Sequence, residues 1–188
     1  GSVYLDDALA FHKDISYICA RHEAAAVTMA SASSKLTGEL GVVISTTGPG
    51  ATNAIGGVVE AWVDSLPILI FSGQVPTSQI LPDIRSFGIQ GFNVIENVMK
   101  ITKYCHRIDD PFSIKYHLEK AIYYAKEGRH GPVWLDLPMD VQAKLIEPKN
   151  LEGFKKPKIL PYDSIDNKRI NELIRYIQES KKPIIVFG

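Results

Sequence analysis

Apolar and polar positions follow two rhythms along this chain, and the switches between them predict its elements. Leu5, Ala8 and Leu9 fall on one side of a helix over 3–11, with Asp6 and Asp7 on the other. Residues 14–20, with Ile15, Tyr17, Ile18 and Cys19, read as a strand. A helix over 22–36 is rich enough in Ala and Ser to lie close against a neighbour, and Gly38 is placed to end it. The apolar strand 41–45 runs into Thr46-Thr47-Gly48-Pro49-Gly50-Ala51-Thr52-Asn53, a rigid turn ahead of a helix over 54–63. The Gly56-Gly57 pair costs that helix about 1 kcal/mol of propensity per glycine. Such a cost fits close packing against the backbone, either by a helix of this chain or by one across a dimer. Residues 68–72 are a nearly unbroken apolar run, the pattern of a strand buried on both faces.

Residues 74–92 then form a long polar stretch punctuated by Pro76, Pro82, Gly88 and Gly91, a kind of loop that in compact domains is often functional. A short helix over 94–99, a strand over 103–108, a helix over 111–126 and a strand over 132–137 follow. Tyr116, His117, Tyr123 and Tyr124 on the longer helix read as packing and surface residues. Pro148, Pro157 and Pro161 among several lysines mark an extended linker. After it come an amphipathic helix over 166–180 and a strand over 181–188. Alternation of about six strands with helices specifies an α/β fold, a parallel sheet with helices on both faces. The expected division is a first domain over 1–146, a linker over 147–165 and the start of a second domain over 166–188. The pattern opens on a helix with no strand before it, so the chain is expected to be a fragment whose first strand is missing.

Composition narrows the partners. The 188 residues carry 21 Lys plus Arg against 21 Asp plus Glu, which gives no global field to draw nucleic acid or an acidic membrane. No apolar run approaches the roughly 20 residues that span a bilayer, and the opening residues lack a signal-peptide pattern, so a cytoplasmic protein is expected. The two cysteines, Cys19 and Cys105, lie in predicted strands without metal-ligand spacing and are expected to be buried free thiols.

Two stretches could carry chemistry. Glu23 follows the first predicted strand and opens a helix, which puts a carboxylate at the carboxyl edge of a parallel sheet, where ligands of such folds bind. The same placement also suits simple helix capping. In the Gly-Pro-Gly turn, two glycines around Pro49 let backbone approach a flat ligand closely while Asn53 can hydrogen-bond it. The spacings are neither those of a P-loop nor those of a dinucleotide fingerprint.

Taken in order, residues 22–38 (His-Glu-Ala-Ala-Ala-Val-Thr-Met-Ala-Ser-Ala-Ser-Ser-Lys-Leu-Thr-Gly), the Thr-Thr-Gly-Pro-Gly-Ala-Thr-Asn turn, residues 64–75 and residues 131–141 resemble the thiamine-diphosphate enzymes of the acetolactate synthase group. The resemblance is to the N-terminal domain that holds the cofactor's aminopyrimidine ring. It implies that Glu23 hydrogen-bonds a ring nitrogen and so activates the cofactor, and that Pro49 and Asn53 line the ring. It also implies that Gln90 reaches the reacting centre from the long loop. This sequence departs from the family at Ala24-Ala25, Ser33 and Lys35, where Gln-Gly, Tyr and Arg are common. It departs again around Gln90, flanked here by Ile89 and Gly91 instead of Phe and Glu.

The implied activity is decarboxylation of a 2-oxo acid such as pyruvate and transfer of the two-carbon unit to a second 2-oxo acid. The alternatives are a decarboxylase of the same family or an interaction module that keeps the fold without the chemistry. Mg²⁺ and the diphosphate would be bound by a Gly-Asp-Gly domain absent from this chain, supplied by the partner subunit of a homodimer or homotetramer. The fragment alone is therefore expected to be inactive. Some relatives also hold FAD in a central domain, and these residues leave that open for the full-length protein.

Overall fold

The structure is a computed structural model that describes residues 1–158 and 166–186. They belong to two compact units, Gly1–Lys156 and Pro157–Gly188. In the first unit, strands β1 (Gly41–Ser45), β2 (Ile68–Gln74), β3 (Tyr104–Arg107) and β4 (Val133–Pro138) form one sheet in the order β1-β2-β4-β3. Every pairing is parallel.

The period-two alternation of side chains sorts the sheet into two cores. Val43, Ile68, Ile70 and Trp134 face helices α2 (Glu23–Thr37), α3 (Pro49–Val63) and α4 (Val94–Val98), meeting Val27, Ala54, Val58, Val94 and Val98. Leu69, Val133, Leu135 and Leu137 face the opposite way, toward α1 (Val3–Phe11), α5 (Ile114–Lys126) and α6 (Met139–Gln142), and meet Leu5, Ala121, Ala125 and Val141. The expected parallel α/β sheet covered on both faces is what the chain forms.

The sheet has four strands where the pattern predicted about six. Residue 14 lies in a turn and residues 15–20 pair with no strand among the described residues, and Ile15, Tyr17 and Ile18 stand in solvent, Ile18 at 80% exposure. Alternation is a local property, whereas a strand exists only through a neighbour's ladder. Cys19, expected to be buried, is exposed for the same reason, while Cys105 on β3 is partly covered and its thiol's pKa is raised by burial.

Helix α3 starts earlier than the pattern suggests, because Pro49 is already helical. Its fixed φ suits a first helical position. Gly48, at φ +53°, makes the break before it, and Thr52 N–H donates to the Gly48 carbonyl at 2.9 Å. Pro49 and Asn53 are therefore one helical turn apart instead of lying on a loop. The glycine pair within α3 also divides: a Cβ on Gly57 would stand 2.6 Å from the Val27 Cβ of α2, whereas one on Gly56 would meet nothing within 4 Å. Gly57 thus serves a contact inside the chain.

The segment after α6 is held to α5. Phe154 lies against Tyr116, Tyr123 and Tyr124 with ring centroids 5.5 to 6.3 Å away, and its N–H donates to Glu119 Oε2 at 2.7 Å. In the second unit, α7 (Asn167–Glu179) is capped by Asp166, which accepts from Lys168 N–H at 3.0 Å. Residues 183–186, predicted as strand, are not in a ladder, and Ile184 and Val186 are each 88% exposed. No strand lies beside them among the described residues. Residues 159–165 of the predicted linker and 187–188 of that strand lie outside the described residues.

Candidate functional site

The carboxyl ends of β1 and β2 and the N-termini of α2 and α3 converge on one edge of the first unit. His22 caps α2 by accepting the Ala24 N–H at 3.2 Å on Nδ1, so Glu23 becomes the first helical residue. Glu23 Oε2 accepts from Asn53 Nδ2 at 3.2 Å. A Cβ on Gly50 would lie 2.7 Å from Thr46 Cγ2 and 3.2 Å from Glu23 Oε1, so the Thr46 side chain and the carboxylate both close on the start of α3. Glu23 as a residue is half-buried, and its bond to Asn53 lies at the exposed surface. Its expected place beside the Pro49 turn is what the fold provides, although without a strand leading into it.

Gln90 joins the same edge from the long loop. The Thr47 hydroxyl donates to Gln90 Oε1. Gly48 is pressed against the loop closely enough that a Cβ there would stand 2.3 Å from the Ile89 carbonyl oxygen and 2.8 Å from Gln90 Cα. Glu23 and Asn53 are joined by a hydrogen bond, Pro49 lies one turn before Asn53 on α3, and Gln90 is tied to this edge through Thr47. A cleft of about 240 Å³ opens between the start of α3 and the loop, lined by Gly48, Pro49, Thr52, Ile89 and Phe92 among others.

Beneath this edge lies a group that pattern reasoning left without a role. Asp136 on β4 has no exposed surface, and its neighbours in register are Ser72 on β2 and Arg107 on β3. Its Oδ1 accepts from Ser72 Oγ at 2.5 Å and its Oδ2 from Gln74 Nε2 at 3.1 Å. Trp134 Nε1 donates in turn to Ser72 Oγ at 2.8 Å. Burial pushes the Asp136 carboxyl up to about 6, against the pull of those two hydrogen bonds and of Arg107. The usable signal was a lone acid inside the apolar run Val133-Trp134-Leu135-Asp136-Leu137. Such a residue is costly to bury unless it is paired.

Both ends of the long loop are tied to this region. Gln74 Nε2 also donates to the Phe92 carbonyl at 3.1 Å, and Gln74 Oε1 accepts the Val75 N–H at 2.8 Å. At the start of the loop, Asp140 accepts from Thr77 N–H at 3.0 Å and from Thr77 Oγ1 at 2.5 Å. Partial burial would raise the Asp140 carboxyl, but the Thr77 bonds outweigh it and hold it below the usual value.

A second set of perturbed groups stacks on the outer strand. His106 and His117 have ring centroids 3.9 Å apart, and the Tyr104 hydroxyl meets His117 Nδ1 at 2.5 Å. Desolvation, with positive neighbours, pushes His117 down to about 4, and burial pushes Tyr104 up to about 12. These residues lie on the α5 side of the sheet, away from Glu23, and pack together. Among the described residues no group of three or more His, Cys, Asp or Glu side chains could hold a metal ion, and no helix is long and apolar enough to cross a membrane.

The arrangement at the edge suits a flat, nitrogen-bearing ring. It offers a carboxyl group for a ring nitrogen and an adjacent amide for orientation.

Residues 2–100 match the family model described as thiamine pyrophosphate enzyme, N-terminal TPP binding domain. The chain is 36% identical over 184 residues to the acetolactate synthase large subunit of Lactococcus lactis, covering 98% of the chain and 31% of that protein. It is 35% identical over 196 residues to the acetolactate synthase isozyme 3 large subunit of Escherichia coli, covering 100% of the chain and 33% of that protein. A probable acetolactate synthase large subunit of Methanocaldococcus jannaschii is 36% identical over 190 residues, covering 97% of the chain and 30% of that protein. The chain thus spans about a third of the length of these relatives.

Proposed function

Because this chain belongs to the thiamine pyrophosphate enzymes, as their N-terminal cofactor-binding domain, we propose that it is the pyrimidine-binding part of an acetolactate-synthase-like carboligase. The full-length protein decarboxylates a 2-oxo acid, pyruvate being the lead substrate, and transfers the two-carbon unit to a second 2-oxo acid. The observation that carries this reading is the placement of Glu23. It opens α2, is hydrogen-bonded by Asn53, and lies beside Gly50 and Thr46 at the start of α3.

When bound, the cofactor supplies a carbon nucleophile and an electron sink for decarboxylation, chemistry that no side chain provides. Glu23 would hydrogen-bond a pyrimidine nitrogen through its carboxyl group and so would set the protonation of the ring. Asn53 keeps the Glu23 carboxylate turned toward the ring instead of toward water. Pro49 would lie beside the ring, and Gln90, bonded to Thr47 on the loop pressed against Gly48, would limit water entry.

Mg²⁺ and the diphosphate belong to a second domain, contributed by the partner subunit of a homodimer or homotetramer. FAD, if the protein uses it, belongs to a central domain. The first domain ends by residue 146, a linker runs over 147–165, and residues 166–188 begin the next domain. The enzyme is cytoplasmic, and residues 1–188 alone do not turn over.

The test is pyruvate consumption by the full-length protein with thiamine diphosphate and Mg²⁺. Glu23→Gln keeps the shape of the side chain and loses the exchangeable acid, so activity should fall at least about 100-fold. Equal activity in the two proteins would remove Glu23 from the role given to it.

A further inference from the structure

We propose that Asp136 is a positioning residue: acting through Gln74, it fixes the loop that carries Gln90 over the cofactor crevice. The inference rests on the reading of that crevice given above, but the contacts that carry it stand apart from Glu23.

A carboxylate can only accept hydrogen bonds. Asp136, fully buried, therefore dictates which end of the Gln74 amide faces it, namely the nitrogen, at 3.1 Å. Once that orientation is set, the second hydrogen of the same nitrogen points to the Phe92 carbonyl at 3.1 Å, and the amide oxygen is left for Val75 N–H at 2.8 Å. Turning the amide over would set its oxygen against both the Asp136 carboxylate and the Phe92 carbonyl. Trp134 and Ser72 complete the chain by pinning the other carboxylate oxygen. The charge is thus spent on a hydrogen-bond direction, and that direction reaches the backbone two residues beyond Gln90. Phe92 also lines the cleft beside Pro49, so the anchor lies at its wall.

The test is hydrogen exchange of the full-length protein, read at amides 87–93 and, as a reference, at the β2 and β4 amides. Asp136→Ala and Gln74→Met should each raise exchange in the loop by roughly tenfold, the loss expected for one anchoring hydrogen bond, and raise it less in the sheet. The double variant should be no worse in the loop than Gln74→Met alone, because both changes cut the same connection. Asp136→Asn, with its oxygen turned to Gln74 and its nitrogen to Ser72, should restore near-parental exchange.

Multiplying effects in the double variant, or an equal rise in the sheet, would overturn the proposal. If Asp136→Ala does not fold, Gln74→Met and Asp136→Asn decide: unchanged loop exchange in the first, or a tenfold rise in the second, defeats it. A kinetic readout separates this anchor from the assigned chemistry. Gln74→Met should raise KM for thiamine diphosphate more than it lowers kcat, whereas Glu23→Gln should do the reverse. If Glu23→Gln leaves turnover intact, the functional reading fails while the exchange result still judges the anchor.

Discussion

The two adjacent glycines of α3 offer a controlled comparison, since alanine gains the same helix propensity at either site, about 1 kcal/mol. What differs is the surroundings. An added Cβ at position 57 would stand 2.6 Å from Val27 Cβ and 3.0 Å from the Ala24 carbonyl oxygen, both rigid parts of α2. Carbon atoms in ordinary contact sit about 3.5 to 4.0 Å apart, so α2 must retreat by about 1 Å. Overpacking of this kind costs about 1 to 3 kcal/mol. At position 56 nothing lies within 4 Å and the propensity gain stands alone.

Gly56→Ala should therefore stabilise the chain by about 1 kcal/mol, and Gly57→Ala should be less stable than Gly56→Ala by about 1 to 3 kcal/mol. Urea unfolding of the two variants measures that difference as a separation of midpoints of about 1 M at unchanged slope. The retreat would also carry Ala24, and with it Glu23, away from Asn53, and a displacement near 1 Å at a reacting group can cost about 100-fold in rate. Equal midpoints, or a larger loss at position 56, would refute the assignment of Gly57 to the α2 contact.

Asp136 should leave a signature in the pH dependence of stability. Its folded value of about 6 lies above the unfolded 3.8, so its contribution is fully present below about pH 4 and is lost as pH rises through 6. The loss amounts to about 3 kcal/mol by pH 7, and Asp136→Asn should abolish that slope in melts followed by Trp fluorescence. Gly48→Ala forces a side chain into φ +53° and against the Ile89 carbonyl. It should loosen the Gln90 loop, seen as faster tryptic cleavage after Arg85. Phe154→Ala removes the ring held among Tyr116, Tyr123 and Tyr124, and tryptic cleavage after Lys155 should accelerate while the melting of the first unit changes little.

Features set by neighbours in sequence could be read in advance. The helix over Glu23–Thr37, its glycine end at Gly38 and the apolar runs of β1, β2 and β4 all follow from periodicity and cap chemistry. The openings of α2 and α3 mark Glu23 and Asn53 as candidates, but their roles, like those of Pro49 and Gln90, follow only from the resemblance to the family. Features set by partners distant in sequence were hidden. Residues 14–20 alternate like a strand but have no ladder, and Ser72 meets Asp136 only because β2 and β4 lie side by side in register. The Gly56-Gly57 pair reads as a contact point in the sequence, yet which of the two is met, and by which helix, depends on how α2 packs on α3.

One consequence concerns β1, which ends the sheet order with Val42 half out in solvent. Among the described residues no strand covers its outer rim, so a row of backbone donors and acceptors stays free to recruit like molecules. A solution of this polypeptide should therefore cloud or form oligomers as it is concentrated. Lysine in place of Val42 would discourage that adhesion by mutual repulsion while leaving the Glu23 crevice unaltered.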